Sequence, residues 1–322
     1  MAIEQMTPEE EARLRLAADI SPSTPTEYML RHIPLWVKMS ILRRNVGGGG
    51  TTERVTTYNF TTNTYRKNGS TVSLGDVSEF IRLSSATEWQ DGQLVEVQNN
   101  VPRINGEGLL IEPQHTNLIP RSIEPVYWFS NPAQYTQEYI ENIDGKITAV
   151  RATRITPSIS AVPFVSQHPN TPIVTDYIGK ETNNVPVIRN NTTATSYNYG
   201  YALIKNEVIK PNISRRIDSV SAAGSPRSVG NSMYYYINGY STAVGQEYTM
   251  YALQILESES YSSLIITGAS PATRSPDILN IPLLSSQTLT GDWDDGVTYE
   301  VADNIATFTG HGYIRNITVE VL

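Results

Sequence analysis

The residues suited to metal or redox chemistry are sparse in this chain. His32, His115, His168 and His311 are its four histidines. None stands four residues from another, the spacing with which two histidines on one helix hold zinc. The chain has no cysteine, which excludes disulfides and thiolate metal sites. The sequence therefore predicts no cofactor and no histidine-based metal site.

A carboxylate-rich segment, DWDDG, begins at Asp292. Closely spaced aspartates favour calcium, but the fifth residue of this segment is glycine and the twelve-residue EF-hand pattern is not met. A hairpin turn is the favoured interpretation. Asp292, Asp294 and Asp295 are kept only as weak candidates for a structural calcium site.

Catalytic patterns are also missing. There is no Gly-x-Ser-x-Gly element, and no serine lies near a histidine in a recognisable frame. A carboxylate pair that cleaves glycosides stays an open alternative, because such acids can lie anywhere in a sequence. The prediction is that the protein is not an enzyme.

Tyrosine is the best candidate for ligand contact, with 19 copies against 5 phenylalanines. An aromatic ring can stack on the apolar face of a sugar while a hydroxyl hydrogen-bonds to it. In the segment SMYYYINGYS, Tyr234 and Tyr236 fall on one face of a predicted strand. Trp293 and Tyr313 stand in glycine- and aspartate-rich turns and are expected to be exposed. These four residues are the predicted glycan-binding residues.

Charge and hydropathy exclude two classes of partner. The net charge is −8 and only 17% of residues are charged, whereas phosphate binding needs concentrated Lys and Arg. The N-terminus, MAIEQMTPEEEARLRL, is acidic where a secretion signal is basic. No run of 18 apolar residues exists. We expect no nucleic-acid partner, no membrane insertion and synthesis in the cytoplasm.

Residues 1–50 differ from the rest of the chain. Thr7-Pro8-Glu9-Glu10 is typical of a capped helix start. An apolar segment centred on Trp36 follows and ends in the glycine run 47–50, a flexible joint. This segment is predicted to be a short helical anchor whose main buried contacts are Leu35, Trp36, Ile41 and Leu42.

From Tyr58 onward the pattern is that of short strands separated by turns. Asn68-Gly69, Asp91-Gly92, Asn238-Gly239 and Asp295-Gly296 are hairpin signals. Regular short strands of this kind predict a mainly β protein, an antiparallel β-sandwich or jelly roll with small flanking β elements. The predicted organisation is an anchor at 1–50, a hairpin domain at 51–115, a jelly roll at 116–285 and C-terminal strands at 286–322.

Several segments carry a resemblance to a known family. GLLIEPQHTNLI, residues 108–119, and LQILESESYSSLIITGASPATRSPDIL, residues 253–279, stand in the order found in tailed-bacteriophage head-spike and tail-fibre proteins. The hairpin ATEWQDGQLVEVQNNVPRI resembles the lead-in of the same family. His115 departs from it, because arginine is more usual there. In this comparison Glu112-Pro113 marks a seam between two β elements, since proline has no N–H for a strand ladder.

The resemblance implies a virion protein with a carbohydrate-binding-module-like jelly roll. Its partners would be other virion proteins (capsid, tail or baseplate) and host-surface polysaccharide, and its assembly a homotrimer. Three hypotheses follow. The first is a head- or tail-fibre or spike subunit that attaches through its N-terminus and binds host glycan. The second is a purely structural decoration, connector or baseplate protein, and the third is a glycan-degrading tailspike.

Overall fold

The computed structural model describes residues 55–128, 133–142, 148–155, 161–165, 171–179, 187–190, 200–211, 213–221, 232–236, 244–245 and 247–321. These residues are mainly β, and their sheets are built from antiparallel strand pairs. The predicted antiparallel β architecture is confirmed. The predicted N-terminal helices lie outside the described residues. None of the described helices is both long and apolar enough to cross a membrane.

The strands near the two ends of the described chain belong together, and we call them the base. Their bounds are β1 (Thr56–Asn59), β2 (Thr64–Lys67), β3 (Ser70–Val72), β4 (Glu79–Ile81), β5 (Ala86–Gln90), β6 (Gln93–Val97), β7 (Ile104–Asn105), β8 (Gly108–Ile111), β20 (Ile278–Pro282), β21 (Gln287–Trp293), β22 (Val297–Ala302), β23 (Ile305–Gly310) and β24 (Gly312–Val321). One short helix, α1 (Leu74–Val77), lies between β3 and β4.

The base consists of two sheets and a separate hairpin. One sheet has the order β3-β2-β1-β24-β8-β7, with β21 also paired to β24. The other has the order β22-β23-β20-β4, and β5 pairs with β6 alone. Strands from 51–115 therefore share their sheets with strands from 286–322, although the sequence pattern predicts two separate segments.

The strands between β8 and β20 form what we call the insert. Their bounds are β9 (His115–Asn117), β10 (Tyr135–Asn142), β11 (Thr148–Arg154), β12 (Ala161–Val165), β13 (Ile173–Gly179), β14 (Val187–Asn190), β15 (Gly200–Lys210), β16 (Ile213–Ser221), β17 (Ser232–Tyr236), β18 (Glu247–Glu257) and β19 (Ala272–Arg274). The main sheet has the order β10-β11-β18-β13-β16-β15, and β9 pairs with both β18 and β19. A second sheet has the order β12-β17-β14.

Each part buries its own apolar side chains. In the base, strand alternation directs Ala306 and Phe308 of β23 inward, where they join a core that includes Tyr58, Phe60 and Leu109. In the insert, every residue of β13 is buried, as expected for a strand covered on both faces. Apolar clusters with different members lie against this central sheet.

The β5–β6 hairpin connects the base to the insert by packing. Leu94 of β6 is buried with Ile178 of β13 and with Tyr251 and Leu264. Thr87 of β5 donates its hydroxyl to the carbonyl of Leu264 at 2.6 Å. The turn of this hairpin has positive φ at Asp91 and Gly92, which confirms the turn predicted from that dipeptide.

Candidate functional site

The chain crosses between base and insert twice, and the two crossings lie side by side. The first leaves β8 at Glu112, and the second returns to β20 at Asp277. The Glu112 N–H donates to Asp277 Oδ2 at 3.0 Å, and the Asp277 N–H donates to the Glu112 carbonyl at 2.8 Å. Just beyond, β9 and β19 pair with Arg274 opposite His115. The strand end predicted at Glu112-Pro113 is thus the point where the two parts join.

Five charged side chains meet at this junction, and we call them the seam cluster. All five are at most 2% exposed, which is rare for charged residues. The members are Arg82, Arg103, Glu112, Arg274 and Asp277. Arg82 follows β4, Arg103 precedes β7, Arg274 ends β19, and the two carboxylates mark the crossings.

Arg103 is the centre of the seam cluster. Its Nη2 lies 2.6 Å from Asp277 Oδ2 and 2.7 Å from Glu112 Oε2. Its Nη1 donates to Ser263 Oγ at 2.8 Å, so it also contacts a loop of the insert. Arg274 lies 3.3 Å from Asp277 and 3.5 Å from Glu112. Both carboxylates are therefore shared between arginines.

Arg82 is stabilised mainly by backbone carbonyls. Its Nη2 donates to the carbonyls of Gln98 at 2.7 Å and Val101 at 3.1 Å, and its Nε donates to Ser84 at 3.0 Å. One further contact, at 3.3 Å, reaches Asp277 Oδ1. The carbonyls compensate in part for the lost hydration of this buried cation, and they fix the loop between β6 and β7.

The seam cluster carries a buried positive charge. Three guanidinium groups face two carboxylates, which leaves a net charge of +1 among its five members. Consistent with an excess of donors, the Nε atoms of Arg103 and Arg274 are buried without a protein acceptor. Burial alone would raise the pKa of Glu112, but Arg103, Arg274 and the Ser263 N–H lower the pKa of Glu112 to about 2. Glu112 is therefore ionised at neutral pH.

This environment argues against an acid–base role for the pair Glu112 and Asp277. A glycoside-cleaving pair needs one carboxyl group that gives a proton to the substrate and open space between the two groups. Here both groups are fully buried and hydrogen-bonded to arginines. They are suited to holding two chain segments together.

A polar chain continues from the seam cluster into the insert. Ser263 donates from its N–H and Oγ to Glu112 at 2.6 and 2.9 Å. The carbonyl of the preceding Ser262 accepts from Arg215 at 2.8 Å. Arg215 forms a buried two-point ion pair with Asp176 at 2.9 and 2.6 Å. The loop after β18 therefore joins the insert sheet to the crossings through charged hydrogen bonds.

Two further residues of the segments that carry the resemblance have a similar fastening role. Asn117 is fully buried, accepts from the Ile119 and Ile255 N–H groups, both at 3.1 Å, and donates to the Ile265 carbonyl at 2.8 Å. Thr267 donates to the Ile119 carbonyl at 2.6 Å. These contacts hold the start of the insert against the loop after β18.

A serine–histidine contact is present that sequence reasoning missed. Ser260 Oγ lies 3.3 Å from His115 Nε2. They are 145 positions apart in the sequence, so there is no local pattern to find. Burial, with Arg274 close by, lowers the pKa of His115 to about 4. Because a base of that pKa is weak at neutral pH, the contact is poorly suited to activate a nucleophile.

The aromatic residues predicted for glycan binding have different surroundings. Trp293 is half-buried and packs edge-on against Tyr299 and Phe308, with ring centroids 5.6 and 5.4 Å apart. Tyr313 is also half-buried and hydrogen-bonds with residues of the β7–β8 turn, and burial raises its pKa to about 12. Tyr234 and Tyr236 belong to the central strand β17, and their side chains are not among those described.

Two carboxylates of the DWDDG segment are paired with an arginine side chain of the same chain. Asp294 Oδ1 lies 2.6 Å from Arg315 Nη2, and Asp292 lies 3.4 Å from Arg315 Nη1. Asp294 also accepts the Tyr313 N–H at 2.8 Å. Across the described ranges, no group of three or more His, Asp or Glu side chains is arranged to hold a metal. The anchor candidates Leu35, Trp36, Ile41 and Leu42 lie outside those ranges.

The insert exposes two tyrosines that the sequence analysis did not select. Tyr127 is 51% exposed, and Arg121 stacks on its ring at 3.8 Å. Tyr139 of β10 is 63% exposed. Gln137, two residues earlier on the same strand face, donates to the Val126 carbonyl at 3.2 Å. This bond brings β10 next to the 3-10 helix Pro125–Tyr127.

Comparisons with known proteins give no family. No protein-family model and no curated protein matches the chain. Among solved structures, the membrane-inserted form of the Clostridium perfringens NetB toxin is 10% identical, with 76% of this chain and 94% of that chain covered. The TM-score is 0.07, so this likeness carries no argument.

Proposed function

We propose that the chain is a subunit of a tailed-bacteriophage fibre or spike, attached through its N-terminal segment, whose insert binds host-surface glycan. The observation that supports this best is the attachment of the insert. Both crossings are fastened by the buried seam cluster, and four of its five members, all but Arg82, lie in segments that carry the resemblance. A domain fastened at one end by buried ion pairs is suited to being displayed.

The binding surface that we propose is formed by Tyr127 and Tyr139. Both rings are more than half exposed, and Arg121 and Gln137 place hydrogen-bonding groups beside them. Aromatic faces with polar neighbours are the groups that sugars contact. Trp293 is a weaker candidate, because its ring is engaged with Tyr299 and Phe308.

A glycan array followed by titration tests this proposal. The wild-type protein is expected to bind a defined set of surface polysaccharides. Tyr127→Ala and Tyr139→Ala should each weaken binding by about 1–3 kcal/mol, a magnitude taken from the stacking of bases on aromatic rings. Tyr299→Ala, an exposed ring in the base, is the matched control. Unchanged binding in both insert variants would remove this surface from the proposal.

Two other outcomes identify the alternative functions. Particles that contain the protein, together with no binding on the array, would favour a purely structural virion protein. Release of reducing ends from a bound polysaccharide would favour a glycan-degrading spike. Immunogold labelling of intact particles tests the virion location, and absence of label would contradict it. The homotrimer is tested by sedimentation.

A further inference from the structure

Strand β15 is an open sheet edge with unusual exposure. Within the described residues its strand partner is β16 alone, and it ends the main sheet of the insert. Residues 202–206 are all exposed, so neither face of this part of the strand is covered. Leu203, Ile204 and Val208 are 56%, 39% and 75% exposed.

An edge of this kind is a site for pairing with another strand. Its outward N–H and C=O groups have no strand partner among the described residues, and apolar side chains on such an edge favour association. Two β-bulges, between Leu203 and Lys205 and between Val208 and Lys210, interrupt the pairing with β16. They bound a stretch, residues 205–208, that pairs with β16 without interruption.

The sequence of that stretch is self-complementary. Together with the preceding Ile204 it reads Ile-Lys-Asn-Glu-Val, with an apolar residue at each end and opposite charges on either side of Asn206. If a second copy pairs antiparallel about Asn206, Lys205 faces the partner's Glu207 and Glu207 faces the partner's Lys205. Opposite charges directly across a strand pair are stabilising, whereas like charges are destabilising.

The charges of the single chain are compatible with this arrangement. Lys205 and Glu207 are already within ion-pair distance of each other on one face of β15. Glu207 also lies 3.8 Å from Arg215 Nη1. A second copy would extend this alternating row without bringing two like charges opposite one another. An unrelated strand would not in general present opposite charges at the matching positions.

We infer that β15 pairs with β15 of a second copy of this chain about a twofold axis at Asn206. The contact continues the main sheet of the insert into a neighbouring subunit. It differs from the threefold axis of the proposed fibre, so it would join two subunits of different trimers if trimers form. The inference does not depend on the proposed glycan binding.

Charge reversal with sedimentation equilibrium of the full chain tests the inference. The wild type is expected to have a mass equal to an even number of chains. Lys205→Glu places two glutamates opposite one another and should halve that mass. Glu207→Lys should do the same by opposing two lysines. The double variant restores opposite charges at both places, and so does an equimolar mixture of the two single variants, so both should recover the original mass.

Two controls keep the test decisive. Val301→Lys changes another exposed apolar residue, 57% exposed on edge strand β22, and should leave the mass unchanged. Glu207→Lys places a lysine beside Arg215, and that variant can fail to fold. In that case Lys205→Glu and Val208→Lys still test the inference, and each should halve the mass. A wild-type mass of one chain or an odd number of chains overturns the inference. A mass that neither Lys205→Glu nor Val208→Lys lowers also overturns it.

Discussion

Single charges in the seam cluster should have a large effect on stability because none of them reaches water. Glu112→Gln and Asp277→Asn keep shape but leave three buried guanidinium groups with one carboxylate. Breaking a buried ion pair on one side costs roughly 3–5 kcal/mol. We expect each variant to lose about that much free energy of unfolding, measured by urea titration.

The control is Asp292→Asn, which removes an exposed partner of Arg315 and should cost less than about 1 kcal/mol. Equal losses in all three variants would contradict this assignment.

His115 should make the protein sensitive to mild acid. Its pKa falls from 6.5 to about 4 because it is buried and lies near Arg274 and His311, and the opposing effect of Glu112 is smaller. The unfolded chain therefore binds a proton at a higher pH than the folded chain. Stability should fall as pH drops from about 6.5 to 4, with a slope of up to roughly 1.4 kcal/mol per pH unit. Thermal unfolding of His115→Gln should lose this slope. Glu112, with its pKa near 2, should also contribute to the free energy of unfolding. This contribution should be lost only below pH 4.5, and it should persist in His115→Gln.

At the scale of elements, Asn117 should be the decisive residue of β9. Asn117→Ala leaves the Ile119 and Ile255 N–H groups and the Ile265 carbonyl without their side-chain partner. Each buried polar group left without a bond costs about 1–3 kcal/mol, so the urea midpoint should fall sharply. Asn99→Ala is the matched control, since Asn99 is exposed and donates to the Leu83 carbonyl. A change of less than 1 kcal/mol in Asn117→Ala would mean that water replaces these bonds.

Elements were more predictable than their partners. Asp295-Gly296, predicted as a hairpin turn, joins β21 to β22, which belong to different sheets. The dipeptide Asn68-Gly69 fixes a hairpin because both residues adopt positive φ there. Asp303 and Asn304 form a similar turn without a glycine to mark it. Strand alternation identifies the inward face of β23, but it contains no information on which strand lies beside it. The pairing of β1 with β24 therefore could not be read from the sequence.

The candidate site was predictable to the same limited degree. Glu112 was predicted to mark the seam, and Arg274 and Asp277 lie in a segment that carries the resemblance, but none of the three was predicted as a site residue. Arg82 and Arg103 were missed altogether, since a single arginine beside a strand is ordinarily a surface residue. Only tertiary contacts reveal that these two arginines are buried. For the same reason Tyr127 and Tyr139 were overlooked, because exposure depends on what the rest of the chain covers.

For the whole molecule, the seam cluster should make base and insert unfold as one unit. Arg103 connects them, because it bonds to both crossing carboxylates and to Ser263 of the insert. Trp293 lies against the base core and Trp128 in the insert core, so their fluorescence reports on each part. In a background of Trp36→Phe and Trp89→Phe, variants that retain one of these two tryptophans should give the same urea midpoint.

Arg103→Leu should separate the two midpoints. The substitution removes the bonds of Arg103 to both crossing carboxylates and to Ser263, while each part keeps its own apolar core. The Trp128 signal should then change at a lower urea concentration than the Trp293 signal, because the loop after β18 keeps, of its bonds to the seam cluster, only those from Ser263 to Glu112. Arg151→Leu, which removes a surface pair with Glu138, should leave the midpoints coincident. Coincident midpoints in Arg103→Leu would mean that the β5–β6 packing alone couples the two parts, and the seam cluster would then be an attachment without a role in cooperativity.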